Sequence, residues 1–141
     1  MDGKVTHNEL RVKTPDTEKI TINLGYVDLG HIDLMVRDGF YSNRTDFIRT
    51  AIRNQIDRHG DALKTSVSRK QLELGLRHIG RQELEALQQT RQTLHLQVLG
   101  LATIADDVTP ELARETIGSI QVLGALHASP AIKKALAGRI I

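Results

Sequence analysis

Residues Lys19 to Leu24 constrain the fold of this chain most, because they read as one β-strand with no partner strand nearby in the sequence. Ile20, Ile22 and Leu24 fall on one side of the alternation and Lys19, Thr21 and Asn23 on the other, the period-two pattern of a half-buried strand. Helical spacing follows. Leu29, Ile32, Met35 and Val36 mark a first helix over about Asp28 to Asp38, with Asp28 as its expected N-cap and Gly39 placed to end it. Ser42 is the expected cap of a second helix running to about His59, where Gly60 stops it; its apolar stripe is Phe47, Ile48, Ala51, Ile52 and Ile56, with Arg44, Arg49, Arg53 and Arg58 largely off it. A lone strand leaves its backbone donors and acceptors unpaired. The simplest remedy is a two-fold dimer in which each chain gives one strand to an antiparallel ribbon backed by four helices. Its core would be Ile20, Ile22, Leu24, Phe47, Ile48 and Ile52.

Strand, helix, helix at these lengths, with the run Tyr41-Ser42-Asn43-Arg44-Thr45-Asp46-Phe47-Ile48-Arg49-Thr50-Ala51-Ile52-Arg53, resembles the ribbon-helix-helix family that includes the MetJ, Arc and CopG repressors. The resemblance covers Lys19 to about His59; one departure is Gly25, where the family often has proline. It implies a transcriptional regulator that binds double-stranded DNA as a homodimer, with a ribbon in the major groove and base contacts from Lys19, Thr21 and Asn23. These side-chain types suit that role: lysine donates to guanine O6 and N7, asparagine bonds adenine N6 and N7 together, and threonine offers a hydroxyl or a methyl against thymine. Ser42, Asn43 and Arg44 open the second helix, where free backbone amides and the positive end of the helix dipole make an expected phosphate site.

A repeat organises the second half. Gly75, Gly100 and Gly124 lie 25 and 24 residues apart, Leu87, Leu112 and Leu136 keep the same spacing, and Gln97-Val98-Leu99-Gly100 recurs as Gln121-Val122-Leu123-Gly124. Thr109-Pro110 and Ser129-Pro130 are cap-plus-N1 pairs that begin short helical turns. A period in this range points to a stack of units, here a β-solenoid-like array of three coils of about 24–25 residues, with a small α+β sensor domain as the alternative. The chain is thus expected to be α+β: a polar N-terminal arm over 1–18 with Lys4, Arg11 and Lys13 available to phosphates, the DNA-binding module over 19–60, a polar, basic connector over 61–71, and a repeat domain over 72–141 that joins dimers into a higher oligomer. The stack's two edge strands and the apolar finish Ala137-Gly138-Arg139-Ile140-Ile141 are the expected points of association.

Composition narrows the function. The four aromatics Tyr26, Phe40, Tyr41 and Phe47 crowd into 22 residues, so the two halves have different kinds of core. The net charge of +2 says little about DNA, since acidic and basic residues nearly balance in each half. With no cysteine and no paired-histidine spacing among His78, His95 and His127, neither a metal site nor a cofactor is expected. The chain has no phosphate loop, nucleophile elbow or spaced carboxylate pair, so no enzymatic activity is expected. Without an 18-residue apolar run or an N-terminal apolar region, the expected location is cytoplasmic, on nucleoid DNA. Competing readings are an antitoxin whose second half wraps a toxin, weakened by that half's aliphatic regularity, and a DNA-anchored polymer or scaffold.

Overall fold

The computed structural model describes residues 17–141, and the proposed contacts of Lys4, Arg11 and Lys13 lie outside them. The architecture is mixed α and β, in two compact units divided between Ile56 and Asp57. Among the described residues no helix is long and apolar enough to cross a membrane.

In the first unit, Lys19 to Leu24 joins no ladder and both of its faces are exposed. Helix α1 is Tyr26–Arg37. It starts earlier than the sequence suggested, because extended Gly25 (φ −65°, ψ 153°) caps it through its carbonyl, which accepts from Leu29 N at 3.1 Å. Asp28 sits inside the first turn, where its charge favours the helix dipole without acting as the cap. The helix ends as expected. Gly39, at φ +87°, turns the chain so that its N–H reaches Val36 O and that of Phe40 reaches Met35 O, the paired bonds of a Schellman motif.

Helix α2 is Arg44–Arg58. Its cap is Asn43 in place of Ser42: the Asn43 carbonyl accepts from Phe47 N at 3.2 Å, and its Oδ1 accepts from Asp46 N at 2.8 Å. No residue of α2 is buried, and among the described residues up to Ile56 only Ile32 is.

The second unit begins within the last turn of α2, and its next element is helix α3, Gly60–Lys70, which occupies most of the stretch read as a connector. Strand β1 (Glu73–Ile79), helix α4 (Arg81–Thr90), strand β2 (Leu94–Ile104), helix α5 (Pro110–Thr116), strand β3 (Ile117–His127) and helix α6 (Pro130–Ala135) then alternate. The strands form one open parallel sheet in the order β1-β2-β3, each joined to the next by a helix. The repeat period is thus a strand plus a helix, and the sheet is not closed into a coil. Leu84 and Leu87, Leu112 and Ala113, and Ile132 and Leu136 give the connecting segments helical apolar spacing that the period alone did not reveal. Both cap-plus-proline pairs hold: Thr109 Oγ1 accepts from Leu112 N and Ser129 Oγ from Ile132 N, each at 3.2 Å.

The marks of the repeat stack in register, Leu74 with Leu99 and Leu123, and Gly75 with Gly100 and Gly124. These glycines adopt φ of +112°, +141° and +125°, and a Cβ built on Gly100 would stand 2.1 Å from Gly75 O. Only glycine fits that approach. One face of the sheet packs Ile79, Leu96, Val98, Ala102, Ile104 and Ile120 against the helices. On β1 the core closes with charge, where Glu73 and Arg77 stand opposite Val98 and Ala102 and Arg77 pairs with both Glu73 and Glu83. The outer edge of β3 is partly paired, because Ile120 N donates to Arg139 O and Ile141 N to Ile120 O, both at 2.8 Å. The expected bare edge at this end is therefore paired at Ile120.

Candidate nucleic-acid interface

Lys19, Thr21 and Asn23 are all exposed, in a segment that makes no ladder within one chain. Their apolar neighbours are exposed too, Ile20 at 73% and Ile22 at 60%, so a single chain does not separate a reading face from a buried one. Phe47 and Ile48 are half-buried, Phe47 meeting Tyr41 edge to face with centroids 5.1 Å apart, while Ile52 and Ile56 stay exposed.

The three residues expected at phosphate do come together, at the start of α2, with their donors partly engaged. Ser42 N and Ser42 Oγ donate to Asp46 Oδ2 at 2.9 and 3.0 Å, while Asp46 N donates to Asn43 Oδ1, a variant of the capping box in which the carboxylate reaches the residue before the cap. These two bonds hold the Asp46 carboxyl below the usual carboxylate range, the backbone bond contributing most. Arg44 lies against α1, its Nε and Nη2 donating to the two carboxylate oxygens of Asp33 at 2.8 Å each. This fork lowers the pKa of Asp33 and raises that of Arg44, chiefly through the hydrogen bonds. The pair is about half exposed, so it is worth little as stability.

A guanidinium carries five N–H donors, and the fork engages Nε and Nη2 while leaving Nη1 to face another anion. The capping box spends the amides of Ser42 and Asp46, and the first-turn amides it does not use belong to Arg44 and Thr45. Thr45 does not stand out in the sequence, because taking Ser42 as the cap places the helix start one residue too early. The signal was present as Asn43-x-x-Asp46, the spacing of a capping box with aspartate in the place of glutamate. Asp33 could not have been found from local spacing, because it lies eleven residues from Arg44 and on another helix.

Among the described residues no three histidine, cysteine or carboxylate groups gather in a way that could hold a metal ion. His78 Nδ1 instead meets Thr103 Oγ1 at 2.7 Å and His95 Nδ1 meets Ser119 Oγ at 2.9 Å, each across adjacent strands.

The family model for the ribbon-helix-helix transcriptional regulator family matches residues 15–133. The match reaches well past the Lys19–His59 stretch and takes in most of the strand–helix repeats. No curated protein and no solved structure matches the chain.

Proposed function

The chain belongs to the ribbon-helix-helix transcriptional regulator family, and on that footing we propose that it is a sequence-specific repressor that binds inverted-repeat operators as a homodimer. The observation that carries this reading is the exposure of Ile20 and Ile22 in a segment without a ladder, beside helices that bury Ile32 alone. Apolar side chains left in water forfeit roughly 1.5–3 kcal/mol each relative to burial, and burying them in a shared core requires the strand backbone to be paired as well. A second copy supplies both missing partners. Its strand completes the ribbon, and Ile20, Ile22, Leu24, Phe47, Ile48 and Ile52 then form one core across the two-fold axis.

In that dimer the alternation turns Lys19, Thr21 and Asn23 outward, where they read base edges in the major groove. The first turn of α2 grips the flanking phosphate through the amides of Arg44 and Thr45 and through Arg44 Nη1, while Ser42 and Asn43 fix that turn by capping it. Phosphate contacts hold position, base contacts specify. The strand–helix repeats associate copies of the protein, so that neighbouring operators are bound together. Repeated rounds of selection from random-sequence duplexes test this reading. A two-fold symmetric consensus is expected, and enrichment of an asymmetric site, or of none, argues against it.

A further inference from the structure

We propose that the outer face of the β1-β2-β3 sheet is a self-association surface that packs on the same face of a second copy. A parallel sheet is normally covered on both sides, because its crossover helices and its neighbours bury both faces. Here the helices cover one side. On the other, Leu74, Leu99 and Leu123 form one rung and Leu76, Leu101 and Ala125 the next. Leu74 is 74% exposed and Leu76 83%, and neither Leu99 nor Leu101 packs into the core cluster.

The character of this face identifies its occupant. Its outward positions carry no lysine, arginine, aspartate or glutamate, so an identical copy meets it without like-charge repulsion. Polar rows border the leucines at both ends, the His78–Thr103–His127 rung on one side and the Gln97–Gln121 rung on the other. An apolar centre with a polar rim is the anatomy of a protein interface, and a two-fold axis midway between the two faces, over β2, sets leucine rungs on leucine rungs. The partner is also at hand. If the DNA-binding module is dimeric, every sheet is tethered to a second one at high effective concentration. The association thus belongs to the sheet face and not to its edges, of which the β3 edge is already paired at Ile120. This inference rests on the proposed self-association of the repeats and specifies the surface that performs it.

The chain has no cysteine, so one introduced cysteine reports its own surroundings. Leu101→Cys lies mid-face, and Ala131→Cys, exposed on α6, is the control. In the full-length protein, a bismaleimide spanning roughly the 10 Å between packed sheets is expected to couple Leu101→Cys into covalent dimers and to leave Ala131→Cys uncoupled. Adding Leu76→Glu and Leu123→Glu should abolish the coupling while far-UV circular dichroism is unchanged. If light scattering finds two or more copies together yet Leu101→Cys couples no better than the control, the face is not the surface, although self-association stands. A wild-type protein that is strictly monomeric overturns both.

Discussion

Replacing Gly100 with alanine should damage the second unit more than the same change at Gly75, and about as much as at Gly124, whose Cβ would stand 2.0 Å from Gly100 O. Two costs add at this position. Gly100 has φ +141°, where an L side chain is strained by about 1–3 kcal/mol. Its new Cβ would also stand 2.1 Å from Gly75 O and 2.9 Å from Gly75 C, both backbone atoms of the neighbouring strand that cannot swing aside. Forcing a methyl into such a filled site costs about 1–3 kcal/mol more. The expected loss is about 2–6 kcal/mol, a large share of the roughly 5–15 kcal/mol by which a domain is stable. Gly75→Ala is the matched control, because it shares the left-handed φ of +112° but would place its Cβ in open space. It should lose only the strain. Urea titration followed by far-UV circular dichroism, with both variants in the full-length chain, measures the difference, expected to be about 1–3 kcal/mol. Equal midpoints for the two variants would show that the close glycine–carbonyl approach does not constrain the sheet.

Ile22→Asp should abolish folding of the first unit, dimerisation and DNA binding together, since it sets an unpaired charge in the ribbon's buried face; a folded monomer by light scattering would contradict the shared strand. Asp33→Asn should leave the urea midpoint nearly unchanged, tighten binding to random DNA and steepen its salt dependence by up to about 0.9 in slope per freed Arg44; an unchanged slope separates Arg44 from phosphate. The fork holds the Asp33 carboxyl low, so its contribution is present above the usual carboxylate pKa of about 3.9 and fades only as pH falls below it; an NMR titration of Asp33 should find a lowered midpoint, and an unshifted one would refute the pair. Thr109→Ala and Ser129→Ala remove equivalent caps from successive repeats, and denaturation curves should show similar losses of about 0.5–2 kcal/mol each.

What was legible in the sequence was what neighbouring residues decide among themselves. Gly39 ends α1, Thr109 and Ser129 cap their helices, and the near-equal spacing of Gly75, Gly100 and Gly124 became strand register, because each follows from local sterics or from a nearly constant period. Helix starts were harder. Gly25 caps by its backbone alone, which left Asp28 as the more attractive choice, and Asn43 lies beside a serine that is an equally good cap type. The helices between strands were underrated, because a period of 24 or 25 residues fixes the length of a unit without saying how it divides between strand and helix. Asp33 and Arg44 meet only through the packing of two helices, which no spacing rule reaches. The exposed leucine face was hidden for a similar reason: Leu74 and Leu76 read as ordinary strand residues until the helices are seen to cover the opposite side of the sheet.

The central claim is that the outward residues of a shared ribbon read the operator. The direct measurement is competition between a selected operator duplex and random-sequence DNA for the wild-type protein and for Thr21→Ala combined with Asn23→Ala, at one fixed salt concentration. Each good base contact is worth about 1–3 kcal/mol of discrimination, so the double variant should lose preference for the operator by at least about tenfold. Its affinity for random DNA, which rests on phosphate contacts, should stay unchanged. A double variant that discriminates as well as the wild type would show that sequence is read elsewhere in the molecule.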